Sequence, residues 1–437
     1  MNAVDTIAAI ATPPGRGGIG IVRISGPRAH TILKQIIDAD VVPRVATVRT
    51  FHDADRELID RGLVLLFEAP HSFTGEDVVE LQGHGGPVVM DLLLAAVIAA
   101  GARLARPGEF SERAFLNGQI DLAQAEAVAD LIDSASRAAA RSAARSLSGE
   151  FSNRIDALAQ STTELRAYVE AAIDFPEDEV DFLSEGAVGE KLRKLIADLD
   201  ALVGTARQGV LLTEGIRLVL AGAPNVGKSS LLNRLAGYER AIVTAIPGTT
   251  RDTLSEQINL DGIPVRLIDT AGLRASTDPI EVEGIRRTRA EVEAADRILW
   301  VADATDPATR LVPPDLPSDR LTVVINKTDL RPTEPNDAVA VSALTGEGIA
   351  QLKAHIKGLA GFRGEEGLFS ARRRHLEALA KARTHLDHGL TALDEGGAGE
   401  LVAEDLRLAH DALGEIVGRV SADALLGVIF GRFCIGK

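Results

Sequence analysis

The stretch GAPNVGKS, residues 222–229, determines the fold of the central part of the chain. It fits the pattern GxxxxGK followed by Ser or Thr, and it lies between an apolar, strand-like run, IRLVLA, and a helix-like run, SSLLNRLA. This is the context of a phosphate-binding loop, in which glycines let the backbone curl so that its N–H groups point at phosphate oxygens. We therefore predict that Lys228 contacts the β- and γ-phosphates of a nucleotide and that the Ser229 hydroxyl binds Mg²⁺.

Three motifs further along the chain identify the nucleotide as GTP. The motif DTAG begins at Asp269, which can hold Mg²⁺ through water, and ends at Gly272, whose N–H can sense the γ-phosphate. The motif NKTD, residues 326–329, ends in a carboxylate that can accept two hydrogen bonds from guanine. Adenine lacks this pair of donors, and such a difference gives a discrimination of roughly 10⁴-fold or more. The motif VSAL, residues 341–344, follows where a loop touching the guanine oxygen is expected.

The residues that catalyse hydrolysis are harder to identify from these motifs. Ras-type GTPases place a Gln after the DTAG glycine to orient water, whereas Leu273 occupies that position here and cannot do so. Arg251 is the nearest candidate for an arginine finger, and a structural role is equally compatible with its position. The predicted nucleotide contacts are Gly222, Asn225, Val226, Gly227, Lys228, Ser229, Ser230, Asp269, Thr270, Gly272, Asn326, Lys327, Asp329, Ser342 and Ala343.

Changes in the pattern of apolar residues along the chain predict a multidomain α/β protein. Residues 1–118 mix strand-like runs (IGIVRIS, GLVLLF, DVVELQ) with an apolar, helix-like run at residues 88–100, which predicts an α+β domain. Residues 119–215 and 362–437 are helical, with apolar residues at steps of three and four. Residues 216–361 alternate apolar strands with helical segments, as in a parallel sheet covered on both faces. We predict a GTPase domain with a doubly wound, mainly parallel sheet, inserted into a discontinuous helical domain.

Composition and charge exclude several classes of function. The net charge of −16 argues against a stand-alone nucleic-acid binder, so any RNA contact needs a local basic patch or the surface of a partner. The single cysteine, Cys434, excludes an intrachain disulfide and a zinc site made of cysteines. The N-terminus lacks the pattern of a signal peptide, and the apolar runs are too short and too interrupted to cross a bilayer. We expect a cytoplasmic protein with no membrane partner.

Several longer motifs resemble those of the MnmE (TrmE) family of tRNA-modification GTPases. The phosphate loop, TAIPGTTRD (residues 244–252) and DTAGLR are shared with many translation-factor-class GTPases. The motifs ATPPGRGGIGIVRISG (11–26), SFTGEDVVELQGHGG (72–86) and RPGEFSERAFLNGQIDLAQAEA (106–127), and the terminal CIGK, are specific to that family. The resemblance covers essentially the whole chain.

The resemblance implies GTP hydrolysis that K⁺ activates. In the family a K⁺ ion stands where an arginine finger would, and an arginine in that place is worth roughly 10³–10⁵-fold in rate. Thr250 matches the switch threonine that ligates Mg²⁺, and Glu281, or Glu283 in the alternative register, matches the glutamate that positions the attacking water. The matching K⁺ ligands are Asn225, Thr244, Ile246 and Thr249, and Asn225 and Lys228 join Glu281 in the implied catalytic set.

The resemblance also implies a folate site in the N-terminal domain, on which the C-terminal tail closes. The family's folate-contacting Arg, Glu and terminal Lys match Arg23, Glu80 and Lys437. A further contact, commonly a basic residue, falls at Gln119, which has no charge for the carboxylates of folate, so either the affinity is weaker or a neighbour substitutes. Cys434 would lie near the one-carbon unit, where a catalytic and a structural role are both open.

The function implied by this resemblance is that of a homodimeric enzyme that acts with an FAD-dependent partner, MnmG (GidA) in the family, in a heterotetramer or larger complex. It would modify carbon 5 of the wobble uridine of certain tRNAs with an aminomethyl or carboxymethylaminomethyl group, using 5,10-methylenetetrahydrofolate or 5-formyltetrahydrofolate. GTP turnover would act as a two-state switch of domain opening and closing. Two rival hypotheses are a switch in ribosome assembly or signalling, and a folate-binding scaffold with a vestigial GTPase. The intact GTPase motifs argue against the scaffold.

Two further features allow a structural or a functional interpretation. His84, within the motif GHGG, could act as a metal ligand or a base, but its glycine neighbours favour a turn. The run ARRRH, residues 371–375, could contact tRNA phosphates, but we favour a solvated helix face.

Overall fold

The computed structural model describes most of the chain as two compact units. The first unit comprises residues 1–129 and 413–437, and the second comprises residues 130–412. The two ends of the chain therefore belong to the same unit. The described residues are 5–174, 187–238, 255–260, 263–269, 292–293, 295–314, 316–333, 338–361, 367–395, 399–419, 423–431 and 433–436.

A six-stranded sheet forms the centre of the first unit. Its strands are β1 (Ile7–Ile10), β2 (Gly17–Ser25), β3 (Thr47–His52), β4 (Leu58–Phe67), β5 (Val78–Gly85) and β6 (Arg103–Leu104). Their order across the sheet is β3-β4-β5-β2-β1-β6, and neighbours are antiparallel except β1 and β6, which are parallel. The strands predicted from IGIVRIS, GLVLLF and DVVELQ are confirmed as β2, β4 and β5.

Two helices, α1 (Ala29–Ile36) and α2 (Pro87–Ala99), share a core with the apolar side chains of this sheet. Phe110 of α3 (Glu109–Leu116) packs with Ile7 and Ala9 of β1, whereas α4 (Leu122–Ile132) contributes to a separate apolar cluster with Phe430. The helix α2 starts with Pro87, a favourable first residue because its missing N–H would have no partner inside the helix. Met90, Leu93 and Val97 follow at steps of three and four and are buried in the core shared with β2, β4 and β5. The helix predicted over residues 88–100 is confirmed.

The second unit contains long helices and a second sheet. Its helices are α5 (Arg137–Leu147), α6 (Glu150–Asp174), α7 (Ala187–Thr213), α8 (Lys228–Tyr238), α9 (Ile349–Ala360), α10 (Arg373–Asp394) and α11 (Gly399–Val417), of which residues 399–412 belong to this unit. The N-cap of α5 is Ser136, whose side chain accepts a hydrogen bond of 3.1 Å from the N–H of Ala139. In α6 the apolar face recurs at steps of three and four, and Phe151, Ile155 and Val169 on it are fully buried.

The sheet of the second unit is six-stranded and mainly parallel, as predicted. Its strands are β7 (Ile216–Ala221), β8 (Ser255–Leu260), β9 (Ile263–Asp269), β10 (Arg297–Asp303), β11 (Leu321–Asn326) and β12 (Ala338–Ala340), in the order β12-β11-β10-β7-β9-β8. All neighbours are parallel except β8 and β9. Alternate residues of β7 belong to different cores, with Leu218 and Leu220 in one and Val219 and Ala221 in the other. The sheet is therefore covered on both faces.

Arginines at the start of α10 connect the helical and sheet parts of the second unit. Arg373 donates from Nε to Glu214 at 3.0 Å and from Nη2 to Asp296 at 2.9 Å. The neighbouring Arg372 donates from Nη2 to Asp130 at 2.6 Å. Carboxylates of the unit therefore engage both guanidinium groups, although Arg373 remains exposed, so the run ARRRH is more than a solvated helix face. Its contact with tRNA phosphates stays a prediction.

The C-terminal segment packs on the helices of the first unit. Its helix, α12 (Asp423–Phe430), ends in Phe430, whose ring centroid lies 6.3 Å from that of Phe115 in α3. Gly108, with φ of 68°, precedes α3, and a Cβ there would lie 2.4 Å from the Phe430 carbonyl oxygen. The N–H of Gly108 donates to the carbonyl of Cys434 at 3.3 Å. The backbone at Cys434 is therefore held against the start of α3.

A partly buried network of ion pairs connects distant parts of the first unit. Arg113 of α3 donates from Nη2 to Asp5 at 2.7 Å and from Nη1 to Glu76 at 3.1 Å. Arg103 of β6 donates from Nη1 to Glu109 at 2.9 Å. The side chain of Glu109 is only 3% exposed, so its charge is stabilised by these partners rather than by water.

The environment of Glu109 lowers its pKa to about 2 from the usual 4.5. Burial by itself would raise this pKa, but the hydrogen bonds from the Arg103 side chain and the Arg106 N–H outweigh it. Since the folded-state pKa lies below the unfolded value, the resulting stabilisation is present above about pH 4.5 and is lost as the pH falls towards 2.

We predict that Glu109→Gln destabilises the first unit by about 3 kcal/mol at pH 7, since each unit of pKa shift corresponds to about 1.4 kcal/mol. The difference from the wild type should shrink as the pH falls from 4.5 towards 2. Hydrogen exchange of peptides covering residues 103–118, measured by mass spectrometry at several pH values, tests this. Glu112→Gln is the control, because Glu112 is more exposed and its pair with Arg106 should contribute less than about 1 kcal/mol. A destabilisation by Glu109→Gln that is independent of pH would contradict the assignment.

Candidate functional site

The predicted nucleotide motifs lie at one edge of the second sheet. The phosphate loop follows β7, and β9, β10 and β11 end at Asp269, Asp303 and Asn326. Because these four strands are parallel, their carboxyl ends share an edge. The chain crosses from one side of β7 to the other between β9 and β10, and ligands of open α/β sheets bind in the crevice at such a point.

Two glycines of the phosphate loop occupy positions where a side chain cannot fit. Gly222 has φ of 145°, and a Cβ there would lie 2.2 Å from the carbonyl oxygen of Val301 in β10. Gly227 has φ of 95°, and a Cβ there would lie 2.3 Å from Nδ2 of Asn326. Both the backbone conformation and the close packing therefore require glycine.

Lys228 and the serines after it begin α8 at the end of the loop. The ammonium of Lys228 donates to the carbonyls of Gly222 and Ala223 at 2.9 and 3.1 Å, which holds it over the loop. Ser229 and Ser230 lie in the first turn of this helix and are exposed. The N–H groups and the dipole at a helix N-terminus favour a phosphate in this place.

The buried side chain of Asn326 joins the phosphate loop to the motif VSAL. Its Nδ2 donates to the carbonyl of Val226 at 2.9 Å, and its Oδ1 accepts from the N–H of Ala343 at 3.0 Å. Asn326 is 2% exposed, so both ends of its amide are satisfied by the protein. Asn326, the first residue of NKTD, thus holds the two loops in position. The sequence analysis had predicted only that Asn326 contacts the nucleotide.

Lys327 adds a second connection across the same edge. Its ammonium donates to the carbonyl of Asn225 at 2.8 Å and to Asp303 Oδ2 at 2.7 Å. Burial by itself would raise the pKa of Asp303, but hydrogen bonds from Lys327 and Thr305 outweigh it and lower this pKa. The sequence analysis missed Asp303, although its place at the end of the apolar run RILWVAD could have indicated it.

The predicted guanine-binding residues lie together. The exposed Asp329 accepts a hydrogen bond of 2.6 Å from Ser342 Oγ, and that same Oγ accepts from the N–H of Thr345 at 3.1 Å. Arg234 of α8 donates from Nε to the carbonyl of Ala343 at 2.8 Å. A carboxylate oriented in this way can accept hydrogen bonds from the donor edge of guanine.

Some predicted residues lie outside the part of the chain that the structure describes. They are Thr244, Ile246, Thr249, Thr250, Thr270, Gly272, Glu281 with its alternative Glu283, and Lys437. Arg251 and Leu273 lie outside it as well, and Asp269 is described only as the last residue of β9.

The predicted folate contacts in the first unit include an ion pair between neighbouring strands. Arg23 of β2 lies opposite Glu80 of β5 and donates to its Oε1 from Nε at 3.0 Å and from Nη2 at 2.9 Å. The guanidinium lies 5.8 Å from the ring centroids of both Phe73 and Phe110, a distance that allows cation–π attraction. Sequence reasoning missed these two aromatic residues, which only the fold brings to Arg23.

The other folate candidates lie near the same structural elements. A Cβ at Gly75, two residues after Phe73, would lie 3.1 Å from Nε2 of the exposed Gln119. Cys434 is exposed, and its carbonyl accepts from Gly108, two residues before Phe110. Each of these two candidates therefore lies next to a short segment that carries one of the rings beside Arg23.

His84 lies at the end of β5, in a strand rather than in the turn that its glycine neighbours favoured. Its N–H donates to Asp60 Oδ2 at 2.7 Å, and its Nδ1 lies 2.8 Å from Asp60 Oδ1. Its partner is therefore a carboxylate on the adjacent strand.

The phosphate loop, the Asn326 contacts and the Asp329–Ser342 pair at one edge of a mainly parallel sheet define a P-loop GTPase. Two family models match the chain, one described as the MnmE helical domain over residues 122–434 and one described as the GTP-binding protein TrmE N-terminus over residues 6–119. The chain belongs to the MnmE (TrmE) family.

Relatives that are similar over their full length support this assignment. The chain is 55% identical to the tRNA modification GTPase MnmE of Chromohalobacter salexigens, over 99% of this chain and 98% of the relative. It is 54% identical to that of Marinobacter nauticus, over 100% of this chain and 99% of the relative. The protein is a GTP hydrolase that acts in tRNA modification. Within the described residues, none of the helices has the length and hydrophobicity needed to cross a membrane.

We predict that Gly222→Ala weakens GTP binding at least about tenfold, because its Cβ would collide with β10 and its φ is unfavourable for alanine. Gly237→Ala, in the same α8 region but facing open space, is the matched control and should raise stability by about 0.5–1 kcal/mol without affecting GTP. A fluorescent GTP analogue measures binding, and the single tryptophan, Trp300 of β10, reports unfolding. Equal GTP affinity in the two variants would refute the steric argument.

Proposed function

We propose that the protein is a K⁺-activated GTPase that, with an FAD-dependent partner of the MnmG (GidA) type, modifies carbon 5 of the wobble uridine of certain tRNAs. The added group is aminomethyl or carboxymethylaminomethyl, and the one-carbon donor is 5,10-methylenetetrahydrofolate or 5-formyltetrahydrofolate. The observation that carries this proposal is the arrangement of the first unit, in which the C-terminal tail lies against the start of α3 and the Arg23–Glu80 pair lies against Phe110 of that helix.

The phosphate loop has the chemistry that a cation-assisted reaction needs. Asn225 has φ of 63°, and Lys327 holds its carbonyl while the residue remains exposed at the loop. An asparagine offers a neutral amide oxygen, a suitable ligand for a hard cation, which fits K⁺. We assign K⁺ to Asn225, Thr244, Ile246 and Thr249, and Mg²⁺ to Ser229 and Thr250. The K⁺ ion would supply positive charge against the charge that grows on the phosphates.

The remaining nucleotide roles follow from the chemistry of the motifs. Lys228 contributes a fixed positive charge to the phosphates, and Glu281 positions the attacking water. Asp329 selects guanine, with Ser342 orienting its carboxylate.

We predict that GTP turnover is faster in K⁺ than in Na⁺, and that Asn225→Gly lowers the K⁺-stimulated rate by about 10²–10³-fold, as the loss of one group that stabilises transition-state charge does. Glycine tolerates the positive φ, so the loop conformation is retained. Binding of a fluorescent GTP analogue is the control and should change only a few-fold. Equal turnover in K⁺, Na⁺ and Cs⁺, or an unchanged rate in Asn225→Gly, would rule out the K⁺ mechanism.

The residues around Arg23 fit a reduced folate. Glu80 can accept hydrogen bonds from a pterin ring, since its Oε2 receives, from the residues that the structure describes, only a long contact of 3.4 Å from Gln82. The rings of Phe73 and Phe110 supply apolar surface beside the charged pair. We assign Arg23, Glu80, Gln119 and Lys437 to folate, with Cys434 near the one-carbon unit as a candidate catalytic thiol.

We also propose that the protein is a homodimer. One face of α2 carries apolar side chains that remain exposed, including Val88 at 71% and Leu92 at 52%. A helix with apolar residues on all sides is normally buried, so a second chain is the natural cover for this face. Because the net charge is −16, we expect the partner to supply much of the surface that binds tRNA. We place this activity in the cytoplasm.

The domain organisation that we propose follows the boundaries set by sequence. Residues 1–118 form the folate-binding and dimerisation domain, residues 119–215 and 362–437 the helical domain, and residues 216–361 the GTPase domain. This division assigns the tail by sequence, whereas the spatial division places residues 413–437 with the N-terminal unit.

We predict that Arg23→Gln abolishes the wobble-uridine modification while GTP turnover stays within about twofold of the wild type. Gln retains a hydrogen bond to Glu80 but cannot supply the charge. Nucleoside analysis of tRNA from cells that carry only the variant measures the modification, and titration with a reduced folate measures binding. Arg61→Gln, an exposed arginine of β4, is the control. A wobble uridine that is unaffected by removal of the whole protein would favour the ribosome-assembly or signalling switch instead.

A further inference from the structure

Three side chains of potential metal ligands meet between α10 and α11. His385 and His388 lie three residues apart on α10, and Asp405 lies on α11. One ligand atom of each residue lies within 4.8 Å of those of the other two. None of these residues belongs to the GTP site or to the proposed folate site.

We propose that His385, His388 and Asp405 form a binding site for one Zn²⁺ ion that braces α10 against α11. Two imidazoles and a carboxylate form a donor set that suits zinc, which commonly has three protein ligands and a water in a tetrahedral arrangement.

The geometry of the pair His385–Asp405 supports this assignment. Nδ1 of His385 lies 3.2 Å from Oδ1 of Asp405. In a tetrahedral site with bonds of about 2.0 Å, neighbouring ligand atoms are about 3.3 Å apart. These two atoms can therefore bind one ion with little movement.

The third ligand needs only a side-chain adjustment. Residues three apart share a helix face, so His388 lies on the same side of α10 as His385. Their rings are 6.3 Å apart between centroids and perpendicular at 89°. His388 is exposed and is therefore free to change rotamer towards the ion.

Charged residues of α11 next to Asp405 are paired with one another. Glu404, next to Asp405, has both carboxylate oxygens bonded to Arg407, at 2.9 and 2.7 Å. Arg407 also donates to Asp411 at 2.7 Å. The exposure of His388 leaves the fourth coordination position open to water.

The helices are close enough for such a brace to be effective. A Cβ at Gly389, which follows His388, would lie 3.5 Å from the Cβ of Asp405, an ordinary contact distance. α10 also carries Arg373, which joins the helical part of the unit to the sheet part. An ion here would stiffen the pair of helices α10 and α11, and α10 begins at Arg373, where the helical part meets the sheet part.

Titration of the full-length, chelator-treated protein with Zn²⁺ against a chromophoric chelator tests the proposal. Excess Mg²⁺ in the buffer occupies sites made only of oxygen ligands. We expect one Zn²⁺ per chain, with the affinity lowered at least about tenfold in His388→Ala and in Asp405→Asn. His410→Ala, which removes another histidine of α11, is the matched control and should bind Zn²⁺ as the wild type does.

Hydrogen exchange gives a second measurement that is independent of GTP turnover. At a Zn²⁺ concentration of 100 times the dissociation constant, exchange in α10 and α11 through opening of the hairpin should slow by about a hundredfold. His388→Ala should reduce this protection at least about tenfold at the same Zn²⁺ concentration. Because this residue is exposed, the variant should fold. Equal Zn²⁺ affinity in the wild type and His388→Ala, absence of binding, or undiminished protection in the variant would each overturn the proposal.

Discussion

The GTP site depends on the buried amide of Asn326, which bonds at both ends to the backbone of other loops. Its Oδ1 accepts a hydrogen bond from the N–H of Ala343, and its Nδ2 donates to the carbonyl of Val226. Val226 and Ala343, which are more than 100 positions apart in the sequence, are thus held at the end of one strand. A buried polar group that loses its partner costs about 1–3 kcal/mol. The positions of the phosphate loop and the guanine-binding loop therefore depend on each other. If either loop shifted, the amide of Asn326 would lose one of its two hydrogen bonds.

Lys327 extends this coupling to the residue on which the proposed K⁺ site depends. Its ammonium holds the carbonyl of Asn225 on one side and Asp303 on the other. The positive φ of both Asn225 and Lys327 is compatible with this close approach of two loops. Lys327 belongs to the motif NKTD, and Asn225 is the residue that we assign to K⁺. One hydrogen bond therefore links the guanine-binding motif to the proposed K⁺ site at the phosphates.

Two features organise the first unit: its ion pairs and the packing of the C-terminal segment against the N-terminal part of the chain. Arg113 joins Asp5 to Glu76, and Arg103 neutralises the buried Glu109 at the start of α3. The tail reaches the same helix, where Gly108 binds the Cys434 carbonyl. The backbone of Cys434, the only cysteine of the chain, is therefore held in place although only three residues follow it in this sequence.

The sequence by itself determined the parallel strands, the long helices and the order of the GTP motifs, because hydrophobic periodicity and phosphate chemistry are expressed in short stretches of chain. It also indicated Asp329 through the motif NKTD and, through the resemblance to the family, Arg23 and Glu80. Only the tertiary structure revealed the antiparallel pairing of β8, the rings of Phe73 and Phe110 beside Arg23, the partnership of Lys327 with Asp303 and the cluster of His385, His388 and Asp405. These features join residues that are distant in sequence, and their positions follow from strand register and helix packing, which local patterns of residues do not encode.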